Sequence, residues 1–152
     1  MSMVAWPWRT SSAKRAERLL RANLTAQQRR DLKEHGYFFV AGGQSRLPYR
    51  VGPKKNVWLL APGVWSKPAC SFCVYPLPHL PTSDVMLAHA LSIQHDERSF
   101  CSVAVFYPYS PDLWYRIIPI LQAADLVRGT NYETFCYSRE VFPCHPREHY
   151  RF

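Results

Sequence analysis

The chain has 152 residues, 47% of them hydrophobic, which is enough for one core and too few for two. That fraction excludes disorder over the whole length, and no window approaches the roughly 18 apolar residues of a membrane-spanning helix. With 19 Lys+Arg against 11 Asp+Glu the formal charge is +8, a field that draws polyanions such as nucleic acid, an anionic membrane face or an acidic protein.

Residues 1–12 carry no hydrophobic period and read as a flexible arm, without the apolar run of a signal peptide. From Ala13 to Asn23 a helix is predicted, because Ala16, Leu19, Leu20 and Leu24 recur at helical spacing among Lys14, Arg15, Arg18 and Arg21. Thr25 and Gln28 form a capping-box pair that starts a second helix at Ala26. Gly36 supplies the left-handed residue that ends it after His35.

A β-rich stretch follows. Tyr37–Val40, Tyr49–Val51, Val57–Leu60 and Ser71–Tyr75 are aromatic and β-branched, and they are separated by turns at Gly42-Gly43, Gly52–Asn56 and Pro62-Gly63. Turns this short predict an antiparallel β-meander. Pro48 limits its strand to an edge or to a strand start.

After the stiff connector Pro76, Pro78, Pro81, a helix capped by Thr82 or Ser83 is predicted, with Asp84 in its first turn. Met86, Leu87, Ala90, Leu91 and Ile93 form its apolar face, and the pattern runs at least to Gln94, with an extension through Asp96-Glu97 to Ala104 left open. A last helix spans Asp112 to Arg128, kinked or split at Pro119 and ended by Gly129. The fold class is therefore α+β: an N-terminal helix pair, a meander and C-terminal helices. A single domain is expected over residues 13–128, with residues 129–152 as a C-terminal arm that must dock to be ordered.

The order Leu24-Thr25-x-x-Gln28-Arg29, Gly36-Tyr37-Phe38, Tyr49-Arg50-Val51, Asn56-Val57-x-Leu59-Leu60, Leu80-Pro81-x-x-Asp84-Val85-Met86-Leu87-Ala88 and Asp96-Glu97 resembles a set of small uncharacterised bacterial and phage-borne proteins. The resemblance covers Glu17 to Ala104. It implies the helix–meander–helix architecture and no activity. The sequence departs from the pattern at Cys73-Val74-Tyr75-Pro76, where a Cys-x-His-Pro run is expected.

Five cysteines, an odd number at irregular spacing, point to reduced thiols and a cytoplasmic location. Cys70 and Cys73 have the separation of a zinc-binding pair, for which His79, His89, His95 or Cys101 would have to supply the remaining ligands. On a strand, however, positions three apart face opposite sides. His89 and His95, six apart, fall on different faces of one helix. Asp96-Glu97 reads as a solvated acidic pair or as the partner of Arg98. Gly42-Gly43 lacks the residues that make a phosphate-binding loop. No cofactor and no catalytic residue are expected.

The residues that point to function are basic and aromatic. Arg18, Arg21, Arg29, Arg30 and Lys33 lie on the two N-terminal helices and Lys54-Lys55 on a turn, suited to neutralising phosphates with release of counterions. Trp6, Trp8, Tyr132, Tyr137 and Tyr150 lie in the terminal segments, where Trp and Tyr serve as docking anchors. The chain therefore reads as a non-enzymatic binding module whose partners are nucleic acid or nucleoprotein and a larger protein assembly, not a membrane. The alternatives are a phage or mobile-element protein that binds, inhibits or decorates a protein complex, and a small zinc-binding protein.

Overall fold

A computed structural model of the chain describes residues 7–53, 56–74 and 79–127, without the side chains of residues 7–10, 56 and 106. The first helix, α1 (Pro7–Asn23), starts six positions before Ala13. Proline suits a first helical position because its missing N–H has no partner there in any helix. Only Ala16, Leu20 and Leu24 of this segment are buried, one stripe four residues apart, whereas Leu19 is exposed. Residues 11–15, ahead of this stripe, bury no side chain that a periodicity could reveal.

The second helix, α2 (Ala26–His35), has the predicted ends. The Gln28 backbone N–H donates to Thr25 Oγ1 at 3.2 Å, the Thr25 N–H donates to Gln28 Oε1 at 3.0 Å, and Gly36 sits at φ 77°. Gln28 also donates through Nε2 to the Phe39 carbonyl at 2.8 Å. That bond satisfies a backbone acceptor on the outer strand of the sheet, where pairing sites are otherwise open.

Next come β1 (Phe38–Ala41), β2 (Pro48–Val51), β3 (Asn56–Leu59), β4 (Cys70–Cys73), α3 (Thr82–His95), α4 (Glu97–Val103), β5 (Val105–Pro108) and α5 (Pro111–Ala123). The strands form one antiparallel sheet in the order β1-β2-β3-β4-β5. Pro48 opens β2, as a proline without an N–H to donate requires. The fifth strand, not expected from the sequence, returns beside β4 after α3 and α4.

Phe38, Val40, Tyr49, Val51, Val57, Leu59 and Phe72 face inward and are buried with Met86, Ala90 and Ile93 of α3 and Trp114, Ile117 and Leu121 of α5. Each fully buried side chain of this size contributes roughly 1.5–3 kcal/mol. α1 lies chiefly against α3.

The start of α3 and the course of α5 differ from expectation, each for a physical reason, while the end of α3 lies within the range left open. The third helix starts at Thr82 with Pro81 in the capping position, so neither Thr82 nor Ser83 acts as the cap. It stops at Asp96, whose φ of −147° leaves the helical region and whose side chain accepts from the Ser99 N–H at 3.1 Å, starting α4. α5 runs unbroken through Pro119. The carbonyl deprived of a donor there belongs to Tyr115, an exposed residue, where water can replace the bond. Among the described residues no helix is long and apolar enough to cross a membrane.

Glu97 corrects the reading of the acidic pair. It is 0% exposed. Its carboxylate accepts from the Gln44 and Ser45 N–H groups at 2.8 Å each, from the Tyr49 hydroxyl at 2.6 Å and from the Ser45 hydroxyl. Arg98 instead pairs with Asp125 at 2.9 Å. The Gly42-Gly43 turn wraps around the carboxylate, and the Gly43 N–H donates to the Ile93 carbonyl at 2.9 Å. One buried anion thus ties the β1–β2 turn to the α3–α4 junction.

Candidate nucleic-acid interface

Strand alternation assigns the second face of the sheet. Phe39, Arg50 and Trp58 are half-buried, between inward neighbours that are fully buried. They pair across the strands as Phe39 with Arg50 and Arg50 with Trp58, and the same row continues to Ser71 and Tyr107. Ser71 and Cys73 are buried, which interrupts this face at β4, and Phe39, Arg50 and Trp58 lie on β1–β3, the side nearest α2.

Here a ladder of rings and a guanidinium forms. The Arg50 guanidinium carbon lies 3.2 Å from the Trp58 ring centroid and 4.5 Å from that of Tyr37. Such cation–π contacts contribute about 0.5–2 kcal/mol each, depending on desolvation. Tyr37 stacks on His35 at 5.6 Å, meets Phe39 edge-on at 5.7 Å, and Phe39 meets Trp65 edge-on at 5.1 Å. Trp65, from the β3–β4 loop, is 59% exposed. The stack on His35 makes the aromatic row continuous with the last turn of α2, which also carries Lys33.

The predicted basic residues divide by role. Arg18, Arg30 and Lys33 are exposed on the two helices. Arg21 pairs with Glu17 at 3.0 Å on the surface, and Arg30 Nη2 donates to Gln27 at 2.6 Å. Arg29 Nη1 donates to the Arg21 and Leu24 carbonyls at 3.2 and 3.0 Å, which caps the end of α1. Its guanidinium is engaged in joining the two helices. Lys54, Lys55, Trp6, Tyr132, Tyr137 and Tyr150 lie outside the described residues, as does the side chain of Trp8. Tyr37, Phe39, Arg50 and Trp65 were missed as a group because only the strand register brings them to one face.

The cysteines take other positions. Cys70 pairs with Leu59 on the inner face and Cys73 with Asn56 on the outer, so their side chains diverge as strand geometry requires. Among the described residues no three His, Cys, Asp or Glu side chains are grouped to hold a metal ion. Cys101 approaches the Tyr49 hydroxyl at 3.8 Å. Burial, with the Glu97 charge adding, pushes its thiol up to about 12. The Tyr49 hydroxyl is likewise raised well above its usual value, first by burial. This cluster holds protons tightly and braces the fold; it offers no thiolate at neutral pH.

A pH dependence follows. An unfolded thiol ionises near its ordinary 9.0, whereas the folded one keeps its proton up to about 12. Between those values the unfolded chain binds fewer protons, so stability falls as pH rises. Urea unfolding of the wild type should weaken across that window more steeply than that of Cys101→Ala. Parallel pH profiles would refute the assignment.

No family model, curated protein or solved structure matches the chain.

Proposed function

We propose that this chain is a non-enzymatic binding module for single-stranded nucleic acid. Bases stack on the aromatic side chains beside β1–β3, and Arg18, Arg30 and Lys33 neutralise phosphates along α1 and α2. The observation that carries the reading is the row of His35, Tyr37, Phe39 and Trp65 joined to the end of a basic helix. The exposed rings of this row, His35 and Trp65, accept any base, because every base has a π-face, and each stacked base contributes about 1–3 kcal/mol. The formal charge of +8 supplies the long-range attraction. An antiparallel sheet with aromatics and Arg along one face is a surface on which single strands are held in other folds.

The reading includes no sequence-specific readout. Titrating the protein with an oligothymidine strand at low salt should quench tryptophan fluorescence, with weaker binding to a duplex of equal length. Absence of binding at low salt sinks the proposal and turns the search to a protein assembly as the partner.

A further inference from the structure

From Gly36 to Ser83 the sequence holds no Asp or Glu, although this stretch supplies β1 to β4 and the turns between them. Its cations are Arg46, Arg50, Lys54, Lys55 and Lys67. A polyanion laid across these strands therefore meets no like charge from the strands themselves. The two N-terminal helices differ in this respect, since they carry Glu17, Asp31 and Glu34 among their basic residues.

The described cations of this stretch have different surroundings. Arg50 is held between the Trp58 and Tyr37 rings. Arg46 lies in the β1–β2 turn that wraps the Glu97 carboxylate. Lys67 is exposed in the β3–β4 loop, and among the described residues no hydrogen bond or ion pair engages it. It follows Trp65 by two positions, a length of chain that spans at most about 7 Å, and its flexible four-carbon stem carries the ammonium further.

Trp65 ends the ring row that begins at His35, so Lys67 lies at the far end from Lys33 and α2. Successive ring centroids along the row are 5.6, 5.7 and 5.1 Å apart. Each step exceeds the rise of about 3.4 Å per nucleotide in a stacked strand. A strand that follows the row is therefore drawn out of its own stack, which a single strand allows and a duplex does not.

We propose that Lys67 binds a phosphate at the β3–β4 end of the row, so that a bound single strand crosses the sheet from α2 to this loop. The inference rests on the nucleic-acid reading above and adds to it a route and a residue.

The test measures affinity for an oligothymidine strand against salt in the wild type, Lys67→Ala, Lys67→Arg and Arg98→Ala. Lys67→Ala should lower the slope of log affinity against log salt by about 0.7, the value for one phosphate contact on a single strand. Lys67→Arg keeps the charge and should keep the wild-type slope. Arg98 lies on α4, paired with Asp125 at 2.9 Å, so Arg98→Ala removes an equal charge away from the row and should leave the slope unchanged. A wild-type slope in Lys67→Ala, or an equal fall in Arg98→Ala, overturns the inference and leaves the nucleic-acid reading standing. Absence of binding by the wild type at low salt removes both.

Discussion

Replacing Glu97 by alanine should destabilise the fold by at least about 3 kcal/mol, because each buried donor left without an acceptor costs roughly 1–3 kcal/mol. The carboxylate is fully buried, and its acceptor sites are taken by two backbone N–H groups and two hydroxyls. Alanine would orphan the Gln44 and Ser45 amides and the Tyr49 hydroxyl together, and would leave a void besides. Glu97→Gln should do less harm, since it keeps the volume and one acceptor oxygen while turning an NH2 group toward donors. Typical domains have only about 5–15 kcal/mol in total, so the alanine variant should show a large fall in urea midpoint. A loss below about 1 kcal/mol would mean that the carboxylate is not the tie between the β1–β2 turn and the α3–α4 junction.

Gly42→Ala attacks the same tie from the opposite side. A Cβ at Gly42 would stand 2.3 Å from Glu97 Oε1 and 2.6 Å from its Cδ. Neither atom can withdraw without breaking the hydrogen bonds that hold the carboxylate. The expected loss is about 3 kcal/mol, the upper end of what overpacking typically costs. Gly36→Ala is the contrasting case: nothing lies within 4 Å of its Cβ, and its φ of 77° is the sole obstacle. That strain is of order 1 kcal/mol. A double-mutant cycle separates the two mechanisms. In a Glu97→Ala background Gly42→Ala should become nearly neutral, whereas Gly36→Ala should keep its full effect. Additive losses for Gly42 and Glu97 would contradict the steric account.

Local signals were legible and distant pairings were not. The α2 capping box and Gly36 could be read because both ends of each interaction lie within a few residues. The meander strands could be read from alternation and short turns. β5 was hidden because Val105–Pro108 directly follows a stretch readable as helix up to Ala104, and the break at Asp96 depends on one side-chain cap to Ser99. Glu97 was illegible for a different reason. Its flanking residues Asp96 and Arg98 are exposed, and its partners lie 48 to 53 positions away, so nothing local marks it as buried.

The candidate interface divides in the same way. Arg18, Arg30 and Lys33 could be picked out by charge and helical spacing alone, although the use of Arg29 to cap α1 could not be foreseen. The aromatic face needed the register of three strands and the path of a loop that returns Trp65 to Phe39. Tyr37, Arg50 and Trp58 are separated by up to 21 positions, and only strand pairing sets them side by side.

On the proposed function, binding divides into a stacking part and a charge part, and salt separates them. The most direct measurement is the affinity for an oligothymidine strand as a function of salt, compared among the wild type, Trp65→Ala and the double variant Arg30→Ala, Lys33→Ala. Trp65→Ala should weaken binding by about 1–3 kcal/mol at every salt concentration and leave the slope unchanged. The double variant should reduce the slope of log affinity against log salt by about 1.4, the value for two phosphate contacts on a single strand. Binding that is equally strong in all three proteins, or a slope that stays the same in the double variant, would contradict it.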